Sequence, residues 1–234
     1  MQITVNDIQF SFGERKIFDK ISFSIPPNEV TAIVGVSGCG KSTLLKLLSG
    51  LKTVDQGTIE YGNKQTIALD SMAIIFQDST LFPWKTVKEN IRLASKGRVN
   101  IQEIAEEVGL SHSLDLYPDQ LSGGMKQRAE FGRVIARSPR ILFMDEPFSR
   151  LDIQYRRHLQ EVFLKLQKKN KPTTVIVTHD INEAIKVAKH IKVLVGNPIQ
   201  QICEFEISDS SNEKIKEDVE NILCDDFTSN LTIK

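Results

Sequence analysis

The chain opens with two stretches in which apolar and polar residues alternate, ITVNDIQFSF from Ile3 and KISFSI from Lys20. A period of two marks strands with one buried face, so the pair predicts antiparallel strands. VTAIV at 30–34 differs: it is short, nearly all apolar and followed by glycine, as a strand buried on both faces would be. MAIIF at 72–76, ILFM at 141–144, TTVIV at 173–177 and IKVLV at 191–195 share that character. Between these runs the period lengthens. KSTLLKLLSG from Lys41 spaces its leucines for a helix and ends on Gly50, and QYRRHLQEVFLKLQKK from Gln154 predicts another. NIRLAS, IQEIAEEVGL and GGMKQRAEFGRVIARS make the middle of the chain helical.

Strands separated by helices imply a parallel sheet with crossover connections. The expectation is an α/β core over residues 1–205, with an N-terminal antiparallel part and a helical subdomain inserted at about 86–138. In the acidic tail from residue 206, Ile215, Val219 and Ile222 fall at i, i+4 and i+7. That spacing predicts an amphipathic helical tail over 206–234 docked on the core.

Composition changes this picture little. The 234 residues are 40% hydrophobic and 26% charged, ordinary values for a globular protein. Thirty basic residues balance thirty acidic ones and form no sustained block, so no nucleic-acid partner is expected. Three cysteines, Cys39, Cys203 and Cys224, give neither a disulfide framework nor a metal-ligand spacing, which fits a reducing compartment. The first residues lack the layout of a signal peptide. No apolar run approaches the eighteen or so residues that span a bilayer. A protein of this kind would serve a membrane from its side.

The candidate chemistry is sharper. Residues 35–42, GVSGCGKS, match G-x-x-x-x-G-K-[ST], directly after a predicted strand and opening a predicted helix. Glycines there let backbone amides wrap phosphates, and the helix dipole favours the negative charge. Gly35, Val36, Ser37, Gly38, Cys39 and Gly40 form the loop, Lys41 reaches the phosphates, Ser42 ligates Mg²⁺ and Thr43 follows. In RILFMDEP, Asp145 and Glu146 emerge at the C-terminal end of a buried strand, where open α/β sheets bind ligands. Asp145 suits Mg²⁺ held through water, and Glu146 suits polarising an attacking water. Gln77 and His179 follow strands at the same edge. Phe12 is placed to stack on a base, although an alternating strand makes core packing its default; His112, His158 and His190 read as structural.

A second glycine pair, in LSGGMKQRAE at 121–130, opens another helix and so offers a second anion site. With it the order GVSGCGKST, Gln77, LSGGMKQR, ILFMDEP, SRLD at 149–152 and His179 resembles the ATP-binding-cassette (ABC) transporter ATPases over about residues 1–200. The resemblance implies a P-loop NTPase with a RecA-like core, binding ATP and Mg²⁺. It assigns Phe12 to adenine, residues 35–43 to the phosphates, Ser42, Gln77 and Asp145 to the metal, Glu146 to the catalytic base and His179 to the γ-phosphate. Leu121, Ser122, Gly123, Gly124 and Met125 would act on ATP held by a second subunit. Partners implied are a homodimer or a paralogue heterodimer, transmembrane permease subunits and, indirectly, an extracytoplasmic solute-binding protein. The location implied is the cytoplasmic face of the cell membrane.

YPDQLSGG at 117–124 looks like bacterial importers, and LFPWKTVKENI at 81–91 is similar to ATPases of nitrate, sulfonate and taurine importers. In those systems this region lies near the groove that receives a membrane-subunit helix; core packing is the alternative for Leu81, Phe82 and Trp84. An exporter ATPase would share the chemistry. A soluble cassette acting on nucleic acid or ribosomes would carry two cassettes or a long coiled coil, and this chain has neither. Two departures stand out. Arg150 occupies a place in SRLD where the family usually has a small residue, and the stretch from Asn90 to Gly109 is shorter than in many relatives.

Overall fold

The structure, a computed structural model, describes residues 1–66, 68–95, 97, 99–208 and 212–231, the side chains of 69 and 227–231 excepted. In chain order the strands are β1 (Ile3–Phe12), β2 (Arg15–Ile25), β3 (Val30–Val34), β4 (Gln56–Tyr61), β5 (Met72–Ile75), β6 (Ile141–Asp145), β7 (Thr173–Val177), β8 (His190–Gly196) and β9 (Ile199–Glu206). The helices are α1 (Lys41–Leu48), α2 (Val87–Ala94), α3 (Ile101–Glu107), α4 (Gly123–Arg137), α5 (Ile153–Asn170), α6 (Ile181–Val187) and α7 (Asn212–Leu231). They divide between two compact units, Met1–Leu69 with Pro172–Lys234, and Asp70–Lys171.

In the first unit the strand order is β4-β1-β2-β9-β8-β3-β7. The alternating strands β1 and β2 pair antiparallel with Ile3 opposite Ile25 and Phe10 opposite Phe18. The apolar strand β3 lies between β7 and β8, parallel to both, and all five of its residues are buried. Two strands were not anticipated: β4, which pairs with β1, and β9, which pairs antiparallel with β8 and touches β2 through Phe18 and Ile199. The tail helix α7 packs on β8 and α6. Ile215 and Val219 are buried and Ile222 is half-buried, the face its spacing predicts. Residues 209–211 and 232–234 of the predicted tail lie outside the described residues. No helix among the described residues is long and apolar enough to cross a membrane.

In the second unit β5 and β6 pair in parallel, Met72 opposite Ile141. Phe131 of α4, Phe148 and Phe163 of α5 form a chain of ring contacts at 5.5 and 6.3 Å. Helix α4 lies hard against α2. A Cβ on Gly132 would stand 2.9 Å from Ile91 Cδ1, so only glycine permits that approach. The four helices of this unit carry side-chain N-caps. Thr86 and Glu89 form a capping box on α2, and the side chains of Asn100, Ser122 and Asp152 accept from backbone amides at the starts of α3, α4 and α5.

Candidate functional site

The first unit carries Phe12, residues 35–43 and His179. Strand β3 delivers the chain into the loop and α1 receives it, the strand–loop–helix context that a phosphate cradle requires. Gly38 and Gly40 have φ of 78° and 116°, a region that other residues enter only with strain. A Cβ on Gly38 would meet nothing within 4 Å, whereas one on Gly40 would stand 2.7 Å from Ile17 Cγ2. One glycine keeps the mouth of the loop open; the other lets its base lie against β2. The buried Lys41 turns its ammonium back onto the loop, donating to the carbonyls of Gly35 and Val36 at 2.9 Å each. This holds a positive charge beside the loop amides. Cys39 is half-buried, and burial pushes its thiol up from the usual range while the nearby Lys41 charge opposes the shift. The group is a protonated filler of the loop.

His179 is exposed just after β7, which pairs with β3. Thr178 before it is buried and donates its amide to Ile33 O, and Asp180 after it caps α6 by accepting from Asn182 and Glu183. Both neighbours are anchored, so the imidazole stands on a fixed backbone. Phe12 corrects the default reading: it is 48% exposed and not a core residue. It ends β1 at the hairpin, edge-on to Phe10, with Lys52 Nζ 4.9 Å from its ring centre. An open aromatic face carrying a cation is a stacking surface.

The second unit carries Gln77, Leu121–Met125, Asp145 and Glu146. Asp145 is buried at the end of β6. Glu146 follows with φ 49°, in the left-handed region that costs a non-glycine residue of order 1 kcal/mol or more. The turn is held from three sides. Gln127 of α4 donates to Glu146 O at 3.2 Å, and Ser149 donates to the same carbonyl from N and Oγ at 3.3 and 3.0 Å. Gln77 lies just beyond β5 and donates from Nε2 to Glu146 Oε2 at 3.3 Å. Ser42, Gln77 and Asp145 offer hard oxygen donors of the type Mg²⁺ takes, alongside phosphate and water. Among the described residues no group of three or more His, Cys, Asp or Glu side chains is placed to hold a metal.

In LSGGMKQRAE, Leu121 is buried, Ser122 and Gly123 are exposed, and Ser122 Oγ accepts from Met125 N at 3.2 Å. That cap leaves the first turn of α4 facing outward with amides available. Gly124 also makes room for the segment after Glu146. A Cβ on Gly124 would lie 3.3 Å from Leu151, and one on Gly123 would lie 4.0 Å from Arg150 Cδ.

Two supporting residues were missed by reading the sequence. Glu130 of α4 is buried and accepts from Thr80 N at 2.7 Å and from the hydroxyls of Ser79 and Thr80, with Arg133 pairing at 3.0 Å. Asn90, fully buried on α2, accepts from Phe82 N and donates to the carbonyls of Phe82, Lys85 and Thr86. Together they fix residues 79–86. A glutamate inside a helix whose other buried positions are mostly apolar was the available signal. Of the apolar trio in that loop, Leu81 is buried, but Phe82 is 37% exposed and Trp84 69% exposed, so core packing accounts for Leu81 alone.

Comparison with known proteins gives this geometry a context. A family described as ABC transporter matches residues 18–149. An aliphatic sulfonates import ATP-binding protein of Bacillus subtilis (strain 168) is 39% identical over 204 residues, 84% of this chain and 80% of that protein. A xylose/arabinose import ATP-binding protein of Haloferax volcanii is 37% identical over 214 residues, 86% of this chain and 56% of that protein. Among solved structures, a dimeric bacterial ABC transporter cassette matches with a TM-score of 0.77 at 26% identity, covering 88% of this chain and 99% of that one.

Proposed function

This chain belongs to the ABC transporter family, and we propose that it is the ATP-binding and ATP-hydrolysing subunit of an importer of a small solute. The observation that carries the reading is the phosphate loop between β3 and α1, with its two left-handed glycines and Lys41 turned onto it. Amides of residues 35–43 and Lys41 bind the phosphates, and Phe12 stacks on the adenine. Mg²⁺ enters with ATP as part of the substrate, its oxygen ligands coming from Ser42, Gln77 and Asp145 and its charge offsetting that on the phosphates. Glu146 accepts a proton from the water that attacks the γ-phosphorus, and His179 donates to the γ-phosphate.

Two copies, or this chain and a paralogue, close on two ATP molecules, with Leu121–Met125 of each acting on the nucleotide of the other. This subunit sits on the cytoplasmic face of the membrane against permease subunits, with an extracytoplasmic solute-binding protein beyond them. The exposed Phe82 and Trp84, 5.7 Å apart, support a permease contact. The sulfonate and sugar importers among the relatives support import, and an aliphatic sulfonate, nitrate or taurine is the solute class favoured.

Steady-state phosphate release by the purified chain tests the reading. We expect turnover that needs ATP and Mg²⁺ and rises more steeply than linearly with protein concentration. Lys41→Ala is expected to lose ATP affinity on titration. Unchanged affinity in that variant, or no phosphate release from the unsubstituted protein, would overturn the assignment.

A further inference from the structure

Arg150 Nη2 donates to Asp78 Oδ1 at 2.6 Å. An exposed ion pair contributes little to stability, and this one is 45% and 92% exposed on its two sides. Its location matters more than its strength. Asp78 is the next residue after Gln77, and Arg150 follows Glu146 by four, across a turn closed by Ser149 on Glu146 O. Two cross-links therefore run side by side between the same two segments: Gln77 to the Glu146 carboxylate, and Arg150 to Asp78.

The two segments are not held equally. Glu146 is fixed from behind through its carbonyl, by Gln127 of α4. Residues 77–80 are exposed, tied at one end to β5 and at the other to Glu130. Gln77 and Asp78 span the interval between those anchors, and their side chains decide where that span rests. The arginine side chain lies beside Gly123.

We propose that Arg150 is a positioning residue for ATP hydrolysis, acting through Asp78 to hold Gln77 against Glu146. An amide that gives its N–H to Glu146 presents its oxygen elsewhere, so one orientation of Gln77 serves both a carboxylate and a cation. Losing the ion pair frees the amide to turn and lets Gln77 leave Glu146, without touching the loop that binds ATP. The proposal rests on the ATPase reading given above.

The test is a double-mutant cycle in kcat on the full chain, using Arg150→Ala, Asp78→Ala and the pair together. Each single substitution is expected to lower kcat roughly two- to fivefold at low ionic strength, with KM for ATP unchanged. The double variant is expected to be no slower than either single one. Arg150→Lys keeps the charge and is expected to recover part of the loss. At about 1 M salt, where the screening length falls to roughly 3 Å, the differences are expected to shrink. Additive losses, a change confined to KM, or an unchanged kcat in Arg150→Ala would overturn the proposal alone, provided that the unsubstituted protein turns over. Absence of turnover in the unsubstituted protein would overturn both the ATPase reading and the proposal.

Discussion

Gln77 and Glu146, sixty-nine residues apart in sequence, meet through an amide-to-carboxylate hydrogen bond of 3.3 Å. One residue lies two positions beyond the end of β5 and the other sits in a left-handed turn just after β6, so the contact is set by the parallel pairing of those strands. Glu146→Gln keeps an oxygen for Gln77 while removing the base. Turnover is expected to fall by roughly 10²- to 10⁴-fold with ATP affinity intact. Size-exclusion chromatography in ATP and Mg²⁺ should show the variant as a dimer; a monomeric profile would count against the two-subunit sandwich.

Glu130 braces the start of residues 79–86 from α4. Replacing it with alanine leaves Thr80 N and two hydroxyls without this acceptor and Arg133 without its carboxylate, its remaining bonds being to Thr80 O and Oγ1. A loss of about 2 kcal/mol in urea unfolding is expected, together with a lower kcat and unchanged ATP binding. Glu130→Gln, which retains one acceptor oxygen, should fall between the two.

Cys39 offers a reporter inside the phosphate loop. Its thiol is pushed up by burial, whereas Cys224 is exposed. Alkylation by iodoacetamide at pH 8, followed by peptide mass spectrometry, should run several-fold slower at Cys39. Adding ATP should slow it further and leave Cys224 unaffected.

Glu29 gives a pH signature. Hydrogen bonds from Lys189 and His190, at 2.6 and 2.7 Å, hold its carboxyl below the ordinary 4.5 despite the opposing effect of burial. A depressed carboxylate contributes stability that is present above pH 4.5 and is lost as pH falls through the lower folded value. The gap in unfolding free energy from urea titration between the native chain and Glu29→Gln, about 1 kcal/mol, should be present above about pH 5 and close below that.

The core of the fold was legible because β3, β6 and β7 are mostly apolar and are buried along their whole length. Strand β4 was not, because it runs through Gly57 with three exposed residues and takes its order from β1. Strand β9 follows Pro198 and is half-exposed, and only its pairing with β8 makes it a strand. At the site, glycines, Lys41 and the Asp145–Glu146 pair announce their chemistry in sequence. Glu130 and Asn90 do not, because they bind backbone groups whose need for a partner arises only after folding. The core-packing default for Phe12 fails for a related reason: alternation gives the face of a strand but not where the strand runs out into solvent.

Helix α4 has a consequence for how this protein can vary. Its fifteen residues, about 22 Å long, carry Gly123 and Gly124 at one end, the grip on Glu146 through Gln127 one turn on, and the grip on residues 79–80 through Glu130 a turn later. A stiff rod with three attachments has one set of motions for all of them. A change that retunes one attachment shifts the other two, so divergence here should proceed by compensating substitutions spread over α4, residues 77–86 and the turn at Glu146. Arg150 with Asp78 has the form of one such matched pair.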